Sequence, residues 1–295
     1  MVTAHSQIDR VVFDSGLVRI GTFRCHPGHP SFHDSGPTQN YCFVFPRTAV
    51  EIQHEHGPAF VANPNVVSLY NSGQSYWRNA ISPEGDRADW YGVESELVRD
   101  VVRGFDSRVD DRPERLFLLT HAWTDPPTYL LQRNLFTRVT AGKAVEPLAV
   151  EEIVVDLLSR VIRSGYKGQR PTDLSEINSK HRTTVHDIEA ILSRRPQEHV
   201  SLRGIAREVG LSVYHVCRLF QRVTGTRLHQ YRLQLRLRAA LGEVLESRRP
   251  LTEIALDAGF SSHSHFTDCF HHQFGATPSF VRSMPPANFW KRAIS

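Results

Sequence analysis

The pattern of apolar and polar positions changes character near residue 94. Before that point the apolar residues come in short runs broken by turn-forming residues. "NYCFVFP" (40–46) and "AVEIQ" (49–53) read as extended segments, and "HEHGP" reads as a turn. "AFVA" is cut by "NPN", "VVSLY" by "NSGQ", and "SYWRNA" by "SPEGD" before "ADWYGV". Short β-prone runs spaced in this way predict an all-β sandwich or barrel. Beyond 94 the period becomes helical. "ESELVRDVV" and "PPTYLLQRNLFTRVTAG" predict helices, the second with proline at its start and glycine just past its end.

"VEPLAVEEIVVDLLSRVIRSG" (145–165) predicts a stronger helix. Val150, Val154, Leu157 and Val161 recur at 4-3-4 spacing, Ile153, Leu158 and Ile162 widen the stripe, and Gly165 is expected to end it. Such a stripe packs on its own domain's sheet, or it pairs with the same helix of a second copy in a homodimer. On the second reading a charge at Val154 or Val161 splits the dimer. "SGYKGQRPTDLSEINSKHRT" (164–183) is polar, with Gly, Pro, Ser and Asn, and reads as a linker. The expected organisation is a β-rich domain over 1–165, a linker over 166–183, a helical domain over 184–285 and a tail over 286–295.

The helical part contains a repeat. "IAREVGLSVYHVCRLFQRVTG" (205–225) aligns with "IALDAGFSSHSHFTDCFHHQFG" (254–275). Ile205-Ala206 matches Ile254-Ala255, Gly210 matches Gly259, Phe220 matches Phe270, and Gly225 matches Gly275. The offset is 49 before the turn and 50 after it, so the second copy has one extra turn residue. Each copy reads as helix–turn–helix. In the first, Ser201 caps a short helix, Gly210 ends it in a left-handed conformation, and Ser212 caps the next helix. Val216, Leu219 and Val223 are expected to face the core there. In the second, Thr252 and then Ser261 or Ser262 are the expected caps, with Phe266, Phe270 and Phe274 as the buried row. "TRLHQYRLQLRLRAALGEVLES" joins the copies as one long helix, with Leu233, Leu237, Ala240 and Val244 as its buried stripe. "ATPSFVR" restarts a helix with Thr277 as cap. A two-helix corner with a glycine turn and an exposed basic second helix suits the DNA major groove.

Charge supports that destination. Residues 1–180 carry 19 Lys+Arg against 22 Asp+Glu, whereas residues 181–285 carry 14 against 9. A basic domain beside a mildly acidic one points to nucleic acid as the partner of the first. The N-terminus lacks a basic segment followed by an apolar core, and no apolar run reaches membrane-spanning length, so a cytoplasmic protein with no membrane partner is expected. The four cysteines (25, 42, 217, 269) include no CxxC pair, which suits reduced thiols.

With these segments in register ("LRGIAREVGLS", "RLFQRVTG", "YRLQLRLRAA", "LTEIALDAGFSSHSHFTDCFHHQFG" and "TPSFVR"), the stretch 185–284 resembles the DNA-binding domain of the AraC family of bacterial transcription regulators. The resemblance implies an α+β two-domain protein. Its N-terminal half would be a cupin-like jelly roll with helices, for sensing and dimerisation. Its C-terminal half would hold two helix–turn–helix units on a long joining helix. It places base-facing positions at Tyr214, Cys217 and Arg218 in the first reading helix and at His263, Ser264 and Thr267 in the second. Gln221, Arg222 and His271 would meet phosphates. The partners implied are double-stranded promoter DNA, RNA polymerase, a small-molecule effector and a second copy of the chain. Asp268, where the family often has arginine, and the helix-interior Gly204 depart from the pattern.

Other chemistries fit less well. Cys25, His26, His29 and His33 could supply metal ligands, but their proline-rich spacing matches no zinc pattern. A metal-dependent jelly-roll enzyme needs H-x-H, a following glutamate and a later histidine. His54-Glu55-His56 supplies only the first, so these two histidines read as turn-edge residues. A protein-binding adaptor explains the apolar stripes but not the gathering of arginine in the repeat. The expectation is a DNA-binding transcription regulator, an activator, with no catalytic residue, metal or cofactor. Phe43, Phe45, Tyr70, Tyr76, Trp77 and Trp90 are candidate walls of an apolar effector pocket, and equally candidate core residues.

Overall fold

The computed structural model describes residues 8–142, 145–168 and 178–283. Ten strands form two antiparallel sheets among these residues. They are β1 (Asp9–Asp14), β2 (Val18–Cys25), β3 (Asp34–Ser35), β4 (Tyr41–Pro46), β5 (Val50–His54), β6 (Phe60–Ala62), β7 (Val66–Tyr70), β8 (Tyr76–Ala80), β9 (Asp86–Val93) and β10 (His121–Trp123). The larger sheet runs β1-β2-β9-β4-β7-β10 and the smaller runs β3-β8-β5-β6. Each run read from the sequence as extended becomes a strand.

Alternation along the central strands gives the larger sheet two apolar faces. Phe43 lies opposite Tyr91 on one side and Leu69 on the other, so these three share a face with Tyr41, Phe45 and Val67. That face is buried under helices α1 (Ser95–Arg103), α2 (Pro126–Thr140) and α3 (Pro147–Gly168). The opposite face, with Cys42, Val44 and Tyr70, turns towards Val50, Ile52 and Ala62 of the smaller sheet.

Helix α3 buries its whole apolar stripe within the chain. Val150, Ile153, Val154, Leu157, Leu158, Val161 and Ile162 are all in the core, against β10, α2 and α1. No apolar track at these positions is left for a second copy, which corrects the reading of Val154 and Val161 as a dimer seam. The helix also continues past Gly165. A Cβ there would collide with Leu119 and press on Ala122, so the glycine serves a close approach rather than a helix end. The expected linker begins inside the last turn of α3 and ends inside α4 (Ser179–Arg194). Its middle, 169–177, lies outside the described residues, as does the expected tail.

The rest is helical: α5 (Leu202–Glu208), α6 (Val213–Thr224), α7 (Leu228–Glu246), α8 (Leu251–Asp257), α9 (His263–Phe274) and α10 (Pro278–Ser283). Helix α7 is buried on more sides than its expected stripe requires. Leu237, Ala240 and Val244 are in the core, Leu233 is half-buried, and Tyr231, Leu235, Arg238 and Leu241 are buried as well. Two cores result. One joins α4, α5, α6 and the start of α7. The other runs without a break from the larger sheet through α2 and α3 into α7, α8, α9 and α10. No helix of the described residues is long and apolar enough to cross a membrane.

Candidate DNA interface and ligand cavity

The first helix–turn–helix unit is α5 and α6. The Ser201 hydroxyl accepts from Gly204 N at 3.0 Å and starts α5. Gly210 then turns the chain at φ 67°. Ser212 starts α6, its hydroxyl accepting from His215 N at 3.3 Å, and Gly225 ends it at φ 71°. The second unit, α8 and α9, repeats this with Gly259, Ser262 and Gly275. Ser262, not Ser261, is the cap, which places the extra residue in the turn. Thr252 is not a cap: α8 starts from Pro250, whose ring fixes the backbone without a side-chain hydrogen bond. Gly259 has a further task, since a Cβ there would strike the backbone of Gln197 in the loop that leads into the first unit.

Packing decides which face each second helix shows. In α6, Val216 and Phe220 are buried and Leu219 and Val223 are half-buried. Phe220 rather than Leu219 is the second anchor, because it meets Tyr231 of α7 edge-on with ring centroids 5.3 Å apart. Tyr214, Arg218, Gln221 and Arg222 stand exposed, and Cys217 is half-buried beside them. Tyr214 is 61% exposed, unusual for a tyrosine with no core role. Arg218 donates to its hydroxyl at 2.8 Å and lies 5.6 Å from its ring, so the two form one unit one helical turn apart. In α9, Phe266, Phe270 and Phe274 are buried in a row. His263, Ser264, Asp268 and His271 are exposed, and Thr267 is half-buried. All nine residues expected at DNA therefore lie away from the buried rows, five on α6 and four on α9.

Several arginines of the basic region are turned inward. Arg232 donates to Pro196 O at 2.8 Å and also to Glu198 O. Arg236 donates to Ala258 O at 2.7 Å and lies over the Phe260 ring at 4.2 Å. Arg232 thus braces the loop that leads into the first unit, and Arg236 braces the turn of the second. Arg238 is fully buried, donating to Pro64 O and to Thr124 O, the latter at 2.6 Å. Only part of the arginine excess is therefore available to phosphate.

Arg238 belongs to a set of contacts between the helical units and the β part. Asn63 donates to Tyr231 Oη at 2.7 Å and to Ser193 Oγ at 3.0 Å, and Asn65 donates to Tyr231 O at 3.2 Å. Glu51 meets His186 at 2.7 Å. At the far end of α7, Glu246 meets Arg47 at 3.1 Å and pairs with the buried Arg133. Burial raises the Glu189 carboxyl, beside Tyr231, to about 8. Sequence reading missed this interface. Its only signals were "NPN", read as a turn, and an arginine at 238 inside an apolar helix.

Between the two sheets lies a cavity of about 780 Å³. Tyr70, Tyr76 and Trp90 line it. Trp90 stacks over Gly21, where any side chain would collide with the indole, and its Nε1 donates to Asp9 at 2.7 Å. Phe43 and Phe45 do not line it; they sit on the helix-covered face, stacked or edge-on to Tyr91. Trp77 points outward from β8. Strand parity, one residue in two, separates the aromatic residues that reach the cavity from those that do not.

Three of the histidines considered as metal ligands make local contacts. His26 and His29 each accept a backbone N–H two residues on, and His33 pairs with Arg78 O. His54 is not a turn-edge residue. It is buried against Phe60, Tyr70 and Tyr76, its Nε2 without a partner among the described residues. Burial, with His121 and Arg115 nearby, lowers it to about 4, and burial lowers His121 to about 4. Among the described residues no cluster of three or more His, Cys, Asp or Glu is placed to hold a metal ion.

Two repeated helix–turn–helix units with outward polar second helices define a DNA-binding protein. Comparison with known proteins agrees. Residues 205–284 match the family described as "Helix-turn-helix domain". The chain is 31% identical over 102 residues to the regulatory protein SoxS of Escherichia coli, covering 35% of this chain and 95% of SoxS. An AraC-type DNA-binding domain-containing protein from Chromobacterium violaceum is 29% identical, over 37% of this chain and 99% of that one, with a TM-score of 0.34. ToxT from Vibrio cholerae aligns with 90% of this chain and 97% of its own, at 10% identity and a TM-score of 0.36. The chain belongs to the AraC family. It is a DNA-binding transcription regulator, from a family of regulators and not of enzymes.

Proposed function

We propose that the protein binds promoter DNA through α6 and α9, and that a small molecule in the inter-sheet cavity changes how these helices are presented. The observation that carries the DNA reading is the duplicated packing. Val216/Phe220 and Phe266/Phe270 anchor equivalent helices and turn equivalent polar faces outward. Tyr214, Cys217 and Arg218 read bases from α6, and His263, Ser264 and Thr267 from α9. Gln221, Arg222 and His271 hold phosphates. The reading assigns sensing to 1–165 and DNA binding to 184–285. Family membership supports the wider mode: an activator acting in the cytoplasm, as a homodimer, by engaging RNA polymerase.

The test is a binding titration of the full chain on DNA from upstream of its own gene and on a scrambled sequence, at two salt concentrations. Specific binding should weaken steeply as salt rises, because phosphate contacts release counterions. Arg218→Ala should cost about 1–3 kcal/mol on the specific sequence and much less on the scrambled one. Equal affinity for both sequences, in parent and variant alike, contradicts the reading.

A further inference from the structure

The cavity between the sheets is closed at one end and open at the other. Val50, Ile52, Ala62, Ser68 and Ala88 at the closed end are all buried. At the open end Val11, Gln39 and Asn40 are exposed to solvent. Its size falls in the range of pockets that enclose drug-sized molecules.

The charges on and behind its wall restrict what can enter. Arg78, buried behind the wall, makes polar contacts with three of the residues that form it. Its Nε meets Asp86 at 2.8 Å, and its Nη2 donates to Ser35 Oγ at 2.8 Å and Tyr76 Oη at 3.0 Å. The guanidinium lies over the Phe23 ring at 4.5 Å. Asp86 lines the cavity and Arg78 does not, so the ion pair presents its carboxylate to the interior. At the rim Arg19 is held by Asp14 at 2.9 Å, while Asp9 and Asp34 add negative charge. The cavity wall carries three aspartates and one arginine, Arg19, which is paired with Asp14; Arg78, whose Nη1 has no hydrogen-bond partner among the described residues, lies behind the wall and not on it. A ligand carboxylate or phosphate would therefore meet net negative charge in surroundings that do not solvate it. A ligand ammonium would have to compete with Arg78 for Asp86.

Hydroxyl chemistry is what remains open. Ser68 is 1% exposed, stands on the cavity face of β7, and its Oγ has no hydrogen-bond partner among the described residues. Tyr70, two residues on, is on the same face. A buried hydroxyl without a partner costs free energy that a ligand oxygen can recover. Resting on the reading of this cavity as an effector site, we propose that it takes an uncharged, mainly apolar molecule carrying a hydroxyl or carbonyl group, and discriminates against anions.

The test uses three probes of one carbon length on the full chain at neutral pH: 1-decanol, decanoate and decylamine, with affinity read by titration calorimetry. Decanol should bind at least tenfold more tightly than either charged probe. Ser68→Ala should weaken decanol several-fold. Ala88→Phe, which fills the cavity, should abolish its binding while DNA binding is retained; Val44→Phe serves the same purpose should Ala88→Phe not fold. Decanoate or decylamine binding as tightly as decanol, and lost in the filled variant, overturns the ligand class while the cavity reading stands. Binding of no probe, or binding indifferent to the filled cavity, overturns both. DNA binding by the parent is independent of each outcome.

Discussion

Three titrating groups, the buried His54 and the half-buried His121 and Glu189, set how stability should change with pH, and their signs differ. His54 and His121 fall from an ordinary value of 6.5 to about 4 on burial. The unfolded chain therefore binds more protons than the folded one between those values, and stability rises with pH across that window. Glu189 moves the opposite way, from 4.5 to about 8. Here the folded chain holds the extra proton, so this contribution is complete below about pH 4.5 and declines as pH rises towards 8. From pH 5 to 6.5 the two histidines outweigh the one glutamate. Above 6.5 the glutamate acts without them. Urea midpoints should climb to a maximum near pH 6.5 and then decline. In Glu189→Gln the decline between pH 7 and 8 should flatten. A decline in the variant as steep as in the parent would remove Glu189 as its cause. None of the three was legible in the sequence, since each depends on neighbours distant along the chain: His121 against Phe60, and Glu189 against Tyr231.

At the scale of elements, helix α3 shows how periodicity can be right about burial and silent about the partner. Its stripe satisfies both an internal core and a helix pair. The sheet it covers decides in favour of the core. Val154→Glu should therefore destabilise the whole chain, as an unpaired carboxylate in an apolar core costs several kcal/mol. The check is a thermal melt beside light scattering of the parent. A folded variant with a reduced mass would restore the dimer seam. Elements with strong local signals were legible: the capped reading helices, the glycine turns at 210 and 259, and the strands cut by Gly, Pro and Asn. The repeat was legible because duplicated packing repeats its anchors. The cavity was legible only by composition. Aromatic residues marked the β part, but Phe43 and Tyr70 belong to opposite faces of one sheet, and that depends on pairing register. Helix α7 was legible as a spacer and not as a clamp, because an arginine in a sequence reads as surface while Arg238 is wholly buried.

At the scale of the whole molecule, one pair of strands faces both functions. Val50 and Ile52 of β5 line the cavity, and Glu51 between them points the other way, to His186 of α4. Ala62 at the end of β6 lines the cavity, and Asn63, next along the chain, holds Tyr231 and Ser193. A ligand that displaces these strands must move the residues that dock α4 and the start of α7, which share one core with the first DNA-binding unit. The second unit is docked separately, through Phe266 and Phe270 in the core shared with α2 and through the Arg133–Glu246 pair. Docking at two places fixes the units relative to each other before DNA arrives, and a fixed pair fits DNA only where the fixed geometry matches. Loosening the first dock should then raise the fraction of binding-competent chains. Asn63→Ala leaves the Tyr231 and Ser193 hydroxyls short of a partner, at a cost of about 1–3 kcal/mol in stability. Combined with Glu51→Gln, it should tighten binding to the specific promoter sequence by about fivefold or more, the lower end of ordinary coupling energies. Decanol affinity should rise as well, because a ligand that has to displace the dock binds more tightly where the dock is already loose. Fluorescence anisotropy on labelled DNA, with calorimetry for the alcohol, measures both. A double variant that folds, binds decanol like the parent and shows unaltered DNA affinity would mean that this dock positions the unit without restraining it.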